Sequence, residues 1–314
     1  MTVGAADERA HSPGASWWWE TWHLDAASTD GVGLSVRLAC APTLGVAWWW
    51  THLLFPDLPG PIVVRDHEVG LPRQGLEVRA DGLWGELWCE SVFEHWTYGL
   101  EAFGVELDDP ADSLAGEIGE RMPVGLDIEW EAGPRSGTPY EYRADDGVRG
   151  YEQFGSVHGE VLVERSRFEL DAVGLRSHTW GVARIDRPVH SSWLHSADLS
   201  MSFTVSGAAD RVEGYVITGD GAPEPVTTVR SETHRRADGL PVAERHVVND
   251  RLEVAGEVLG LAVVPLTAPA GERATLSRGL CRYDVSAAGD DERIANGWSS
   301  RLDPGINVAW PDDS

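Results

Sequence analysis

The chain lacks lysine altogether, because its 25 cationic residues other than histidine are all arginine. This absence excludes catalysis through a lysine Schiff base and phosphate binding by a P-loop lysine. Cysteine is scarce too, with only Cys40, Cys89 and Cys281 and no Cys-x-x-Cys pair. Three scattered cysteines exclude a disulfide framework and a cysteine-ligated zinc site, and they are typical of a reducing compartment.

Long apolar segments are missing as well. No run approaches the roughly 20 apolar residues that a membrane span requires, and the polar start, Met1–Ser16, does not have the build of a signal peptide. We therefore expect a cytoplasmic protein without a membrane partner. Positive charge is also in short supply, since 51 acidic against 25 basic residues give a net charge of −26. Such a surface repels phosphate backbones, so no nucleic-acid partner is expected.

The common catalytic and metal-binding motifs are absent. The sequence has no Gly-x-Ser-x-Gly elbow, no Walker sequence, no glycine fingerprint for a dinucleotide and no His-x-x-Glu metal motif. Hydrolases, kinases and nicotinamide oxidoreductases of the usual kinds are therefore disfavoured. We predict neither a metal nor a cofactor.

What the sequence does contain is alternation of apolar and polar residues, which predicts half-buried β-strands. The clearest examples are Val32–Cys40, Leu126–Trp130 and Leu199–Val205, and Asp-Gly turn signals separate such segments. Helical periodicity is confined to Pro110–Glu120. The pattern predicts an all-β protein built from antiparallel barrels or sandwiches.

A break in the pattern near Pro188 divides the chain. We predict a disordered N-terminus at 1–15, an N-terminal β-domain at 16–187 and a C-terminal β-domain at 188–314. Two domains agree with the length of 314 residues, which exceeds the size at which single cores stop growing.

Tryptophan is abundant, with 15 residues, and the triplets Trp17–Trp19 and Trp48–Trp50 are the densest groups. Neighbouring residues of a strand face opposite sides, so a triplet cannot enter one core as a whole. The tryptophans line an apolar cavity, fill cores and interfaces or, where they are exposed, stack on sugar rings, and all three alternatives stay open.

The segment Gly174–Gly181 holds a cation, an imidazole and an indole at alternating positions, Arg176, His178 and Trp180. In an extended strand these three side chains share one face. Because buried polar groups need partners, the motif is either a buried structural network or the polar end of a ligand site.

Two acids beside aromatic residues are candidates for a general acid, since desolvation in an apolar pocket raises the pKa of a carboxyl group. Glu94 stands two residues before Trp96, and we expect the two to share a strand face. Glu152 follows Tyr151 just before the hairpin that leads to the motif. The alternative is that these acids cap turns or pair with arginine.

The segment Arg176-Ser177-His178-Thr179-Trp180-Gly181 resembles the signature of the hydroxyneurosporene synthase-like family, which includes carotenoid hydratases and AttH-type proteins, and in particular an actinobacterial branch of it. That signature is Arg-Asp-His-Ser-Trp-Gly or Asp-His-Glu-Trp-Gly. Tyr151-Glu152-Gln153, Gly159 and the acidic segment Glu90–Trp96 also match the branch. The resemblance implies two lipocalin-like (calycin) domains that enclose apolar pockets, and an activity such as hydration, cyclisation or isomerisation.

The chain departs from the signature where Ser177 and Thr179 replace carboxylates. A proton donor would then have to be Glu94, Glu152 or Asp25, and the motif itself would anchor the junction of the two domains. We expect a cofactor-free enzyme acting on a hydrophobic isoprenoid, polyene or polyketide-like molecule. A carrier of such a ligand, and a structural protein without one, are the alternatives. The residues expected in the site are as follows: catalytic His178, Arg176, Glu94 and Glu152, and ligand-binding Trp180, Trp96, Trp22, Trp49 and Tyr151.

Overall fold

The protein was analysed as a computed structural model. It describes residues 3–14, 17–58, 60–116, 119–133, 139–143, 147–182, 185–207, 211–267, 271–287 and 292–305.

The described residues form two antiparallel sheets and two short 3₁₀ helices, Ala5–Glu8 and Pro110–Ala115. The strands of the first, N-terminal sheet are β1 (Trp18–Ala27), β2 (Gly33–Ala41), β3 (Val46–Leu54), β4 (Ile62–Gly70), β5 (Leu76–Ala80), β6 (Leu83–Ser91), β7 (His95–Leu107), β8 (Gly119–Ala132), β9 (Tyr140–Arg143), β10 (Arg149–Val163) and β11 (Ser166–Val182). Those of the second, C-terminal sheet are β12 (Val189–His195), β13 (Leu199–Ser206), β14 (Arg211–Thr218), β15 (Glu224–Pro225), β16 (Val229–Arg235), β17 (Pro241–Val248), β18 (Leu252–Thr267), β19 (Arg273–Ala287) and β20 (Arg293–Pro304).

The N-terminal sheet curls until its strands meet. Its order is β4-β3-β2-β1-β11-β10-β8-β7-β6-β5, with β9 paired to β10. A further pairing of β4 with β7 closes the curve. The C-terminal sheet runs β15-β14-β13-β12-β20-β19-β18-β17-β16. The all-β prediction is therefore confirmed. Of the predicted helix only the 3₁₀ turn at Pro110–Ala115 forms, because β8 already begins at Gly119.

The three largest apolar clusters fill the two sheets and the space between them. One fills the N-terminal sheet and includes Trp49, Trp96 and Trp130, and a second fills the C-terminal sheet around Phe203. A third lies between the sheets and joins residues of both, such as Phe154 and Trp298. Because each sheet has a core of its own, the sequence division at 187 and 188 remains our prediction for the domain boundary.

The predicted disorder of residues 1–15 is wrong for the part that the structure describes, residues 3–14. This N-terminal segment forms a 3₁₀ turn, and Glu8 is only 5% exposed. Its polar composition suggested disorder, but the segment is held by hydrogen bonds to residues far along the chain.

Candidate functional site

The inner face of the N-terminal sheet brings the Arg176 motif together with Tyr151. Strand pairing places His178 opposite both Trp22 on β1 and Tyr151 on β10. The rings of His178 and Trp180 lie 5.1 Å apart, and both contact the Tyr151 ring. The predicted sharing of one face is confirmed.

Arg176 is bound by a carboxylate that comes from the N-terminal segment. Its two terminal nitrogens donate to the oxygens of Glu8 at 3.0 and 2.8 Å. Tyr151 Oη and the Phe93 backbone N–H also donate to Glu8, at 2.7 and 2.8 Å. The guanidinium carbon lies 4.8 Å from the Trp130 ring and 5.1 Å from the Trp96 ring. Aromatic faces and a bidentate carboxylate thus compensate the burial of this charge.

His178 joins the same network at its other end. Its Nδ1 lies 2.8 Å from the Asp7 carbonyl oxygen and its Nε2 lies 2.9 Å from Glu20 Oε1. Burial lowers the pKa of His178, and its ring stacks on Trp22 at 4.6 Å. Both ring nitrogens of His178 therefore face oxygen atoms, one of the N-terminal segment and one of β1.

These residues (Glu8, Glu20, Tyr151, Arg176 and His178, here called the motif network) lie inside the N-terminal sheet. The expectation that the motif anchors the domain junction is wrong, since its partners belong to the N-terminal sheet and the N-terminal segment. The geometry matches the structural alternative. Sequence reasoning missed Glu8 and Glu20, although Glu20 alternates with Trp22 and so could have been placed on its face.

The remaining aromatic candidates occupy two kinds of position. Trp22, Trp49 and Trp96 are buried members of the core, and a Cβ on Gly85 would lie 2.7 Å from the Trp49 ring. Their placement corresponds to the core-filling alternative. Trp180 is half-buried and stacks on His11 at 3.8 Å.

Glu94 is misplaced by the sequence argument. The strand begins one residue later, at His95, and Glu94 ends a tight turn in which its N–H donates to the Ser91 carbonyl oxygen at 3.0 Å. Its side chain is exposed and accepts from Ser91 Oγ, whereas Trp96 is buried. Alternation does not continue through such a turn, so the expected shared face is absent.

Asp25 is also unsuitable as a proton donor. It is 3% exposed on the outer face of β1, where Arg278 of the C-terminal sheet and His23 hold its carboxylate. Burial alone would raise the pKa of Asp25, but the Arg278 guanidinium and His23 keep it well below its usual range. Trp193 Nε1 donates to the same carboxylate at 3.3 Å. Asp25 is therefore a charged link between the two sheets.

Glu152 is the acid whose surroundings fit the expected role. It lies half-buried on the outer face of β10, where hydroxyl groups of the C-terminal sheet, Ser202 and Tyr215, hydrogen-bond its carboxyl group. Burial raises the pKa of Glu152 to about 7. Tyr140 stacks on Tyr215 at 4.2 Å, and Phe154 packs edge-on against the same ring. An acid in this setting is partly protonated near neutral pH.

A cleft of about 530 Å³ also opens between the two sheets. Its walls are polar and apolar in about equal measure, with Leu54, Phe55, Leu259 and Leu280 among the apolar residues and Asp30, Asp109, Arg236 and Arg282 among the charged ones. This volume lies within the range of about 300–1,000 Å³ that is common for small-molecule sites.

Three groups of described residues have ligating atoms that all lie within 4.8 Å of one another, as a metal site requires. The first joins His11 to Glu20 and His178 of the motif network, the second is His190, Glu244 and His246 in the C-terminal sheet, and the third is His95, Glu129 and Glu131 on β7 and β8. No helix among the described residues is long and apolar enough to cross a membrane.

Sequence comparison gives one family. The model of a family described as domain of unknown function DUF7064 matches residues 4–304. No curated protein matches the sequence.

Solved structures match over nearly the whole chain. A structure described as AttH from Nitrosomonas europaea has a TM-score of 0.62 at 13% identity and covers 94% of each chain. Kievitone hydratase from Nectria haematococca has a TM-score of 0.58 at 10% identity, with coverage of 92% of this chain and 89% of that one. CghA has a TM-score of 0.58 at 11% identity, with coverage of 92% and 88%. At these identities the likeness concerns the fold, and it confirms the AttH-type, lipocalin-like architecture.

Proposed function

The chain belongs to the family described as domain of unknown function DUF7064, and we propose that this member is an enzyme that protonates a hydrophobic small molecule without a cofactor. The observation that carries the proposal is Glu152, a half-buried acid at the junction of the two sheets whose pKa burial raises to about 7. The expected reaction classes are hydration, cyclisation and isomerisation of an isoprenoid, polyene or polyketide-like substrate.

The chemistry follows from the state of the acid. Transfer of a proton to a carbon–carbon double bond starts the acid-catalysed form of each of these three reactions, and a general acid works best when its pKa lies near the working pH. Ser202 and Tyr215 orient the carboxyl group from the facing sheet. After transfer, the Glu152 carboxylate is placed to take a proton from water or from the substrate cation, which returns the acid to its first state.

The cleft supplies the place for the apolar body of the substrate. Leu54 and Leu280 line it, and both belong to the apolar cluster that also contains Phe154 and Tyr215 beside Glu152. A ligand in the cleft therefore contacts the same apolar cluster whose Tyr215 hydrogen-bonds Glu152. We propose that the substrate parts this cluster to reach the acid, and that aromatic faces stabilise the developing cation.

Proteins of the same fold give this proposal its background. Kievitone hydratase is a hydratase by name, and CghA has been crystallised with the small molecule Sch210972. Such a likeness is an analogy of fold, and the argument for this chain rests on Glu152.

Replacement of Glu152 by glutamine should abolish proton transfer. The substrate class is found first, by native mass spectrometry of protein purified from its own host, and compounds of that class are then incubated with the protein in D₂O. Wild-type protein should add deuterium to the product, seen as a mass increase. The Glu152→Gln variant should lose this activity by about 100-fold or more, the scale of general acid catalysis.

The matched control is Glu101→Gln, which changes an exposed acid of the same sheet. It should keep wild-type activity. Retention of activity by Glu152→Gln would contradict the role of the acid. Ligand binding without any deuterium incorporation by wild-type protein would instead identify a carrier.

Stability should depend on pH through the same residue. The pKa of Glu152 rises from its ordinary value of 4.5 to about 7 in the folded protein, so the folded state holds the proton more tightly than the unfolded state. This contribution is complete below pH 4.5 and is lost as pH rises to about 7. Relative to Glu152→Gln, wild-type protein should lose roughly 2–3 kcal/mol of unfolding free energy over this window. Urea titrations of both proteins at several pH values measure the difference, and parallel curves would contradict the shift.

A further inference from the structure

Two imidazoles and a carboxylate lie together inside the C-terminal sheet, away from its contact with the N-terminal sheet. Glu244 and His246 alternate on β17 and so share a face, and His190 approaches from β12. The exposed fractions of the three residues are 4%, 0% and 7%. Phe203 packs edge-on against both imidazole rings. The charged and polar atoms are thus enclosed by the apolar core of that sheet.

The spacing of the ligating atoms fits a bound metal ion. His190 Nε2 lies 3.2 Å from Glu244 Oε2, and His246 Nε2 lies 3.1 Å from Glu244 Oε1. Ligand bonds of about 2.0–2.1 Å in a tetrahedron place neighbouring ligand atoms about 3.3 Å apart. The two observed separations, each to a different oxygen of Glu244, are close to that value, and one ligating atom from each of the three residues lies within 4.8 Å of the other two.

His246 provides the second and independent observation. Its Nε2 is buried and makes no hydrogen bond, although Glu244 Oε1 lies 3.1 Å away. At the other side of the ring, Nδ1 lies 2.9 Å from Ser231 Oγ. When Ser231 accepts the Nδ1 proton, Nε2 presents its lone pair to the space beside Glu244, as in a metal-bound histidine whose second nitrogen is held by an outer partner.

We propose that His190, Glu244 and His246 bind a divalent first-row transition-metal ion of the zinc type. Two imidazoles and one carboxylate favour zinc and its neighbours over magnesium and calcium, which prefer sets of oxygen ligands. Three protein ligands leave a fourth coordination position open. Ser192 Oγ and Tyr283 Oη lie 3.1 and 2.9 Å from Glu244 Oε1, so their hydroxyl groups border the site.

The charge of Arg301 should lower the affinity of this site for a metal ion. Its Nη2 lies 3.4 Å from His190 Nδ1, the nitrogen that must carry the proton when Nε2 binds a metal. Binding therefore turns the guanidinium away, and the nearby positive charge opposes the cation. Removal of this charge by Arg301→Gln should increase metal affinity several-fold, an effect opposite to that of the ligand variants.

The experiment is a titration of chelator-treated, full-length protein with Co²⁺, followed by the visible absorption of the bound ion, and with Zn²⁺ in competition. We expect wild-type protein to bind one ion per chain at this site. The affinity for that ion should fall at least tenfold in His190→Ala and His246→Ala. His11→Ala and His95→Ala alter the two other histidine and glutamate groups and should leave this ion bound. If wild-type protein binds no ion, or if the two control variants lose the ion while His190→Ala and His246→Ala keep it, the proposal is wrong.

A milder variant covers the case in which a ligand variant does not fold. Ser231 is exposed, so Ser231→Ala should fold normally, yet it removes the partner of His246 Nδ1. Loss of such an outer partner weakens metal affinity by about 10–100-fold. Unchanged affinity in Ser231→Ala together with normal circular dichroism would contradict the assigned geometry. The metal titration does not involve Glu152, so it can fail or succeed independently of the proposed enzymatic function.

Discussion

Replacement of Glu8 by alanine should lower the free energy of unfolding by about 3–5 kcal/mol, the loss that follows when one partner of a buried ion pair is removed. The Arg176 guanidinium is 2% exposed and would keep its charge without the carboxylate. A guanidinium is not deprotonated in proteins, so Arg176 cannot avoid the unpaired charge by losing a proton. Tyr151 Oη and the Phe93 N–H would also lose their acceptor.

Equilibrium unfolding in urea measures this effect, with Arg9→Ala as the control because Arg9 is the exposed neighbour of Glu8. The control should change stability by less than about 0.5 kcal/mol. The double variant Glu8→Ala/Arg176→Met removes both charges and should recover part of the loss, since two apolar groups avoid the unpaired charge. If Glu8→Ala lowers the free energy of unfolding by less than about 1 kcal/mol, the contact of the N-terminal segment with the motif does not stabilise the fold.

The strands could be predicted from sequence because their signal is local. The alternation in Val32–Cys40 and Leu199–Val205 corresponds to β2 and β13 almost residue for residue. A period of two residues states which side chains share a face and needs no knowledge of distant parts of the chain. The same reasoning placed Arg176, His178 and Trp180 together correctly.

The meaning of that motif could not be predicted, because its partners are distant in sequence. Glu8 stands 168 residues before Arg176, in a segment whose composition resembles a disordered tail. The pair Asp25 and Arg278 is separated by 253 residues. Likewise, His190 comes from a different strand than Glu244 and His246 and leaves no spacing signal. Local patterns fix which face a residue occupies, and only the closed sheets decide what it meets there.

At the candidate site, Glu94 and Glu152 show the same difference between what a local pattern predicts and what distant contacts decide. Both are acids beside aromatic residues, and the sequence gives no reason to prefer either. The turn before β7 exposes Glu94, whereas the C-terminal sheet covers Glu152 and supplies its hydroxyl partners. The raised pKa of Glu152 is therefore a property of the contact between the two sheets.

The contact between the sheets should depend most strongly on Asp25. Replacement by alanine leaves Arg278 buried without its carboxylate and removes the acceptor of Trp193 Nε1, so we expect a loss of about 3–5 kcal/mol. Because these contacts join β1 to β12 and β19, the two sheets should also unfold less cooperatively. Calorimetry of Asp25→Ala should show two resolved transitions in place of one.

The pH dependence tests whether charge is the cause. The pKa of Asp25 is held well below its usual range, so its stabilisation is present above the unfolded pKa of about 3.9 and is lost only as pH falls through the folded value. The difference between wild type and Asp25→Asn should therefore stay constant from about pH 5 to about pH 8 and shrink in stronger acid. Asp171→Asn, at an exposed position on β11, serves as the control and should have little effect. A difference that already changes between about pH 6 and pH 8 would assign the link to His23 rather than to the ion pair of Asp25 and Arg278.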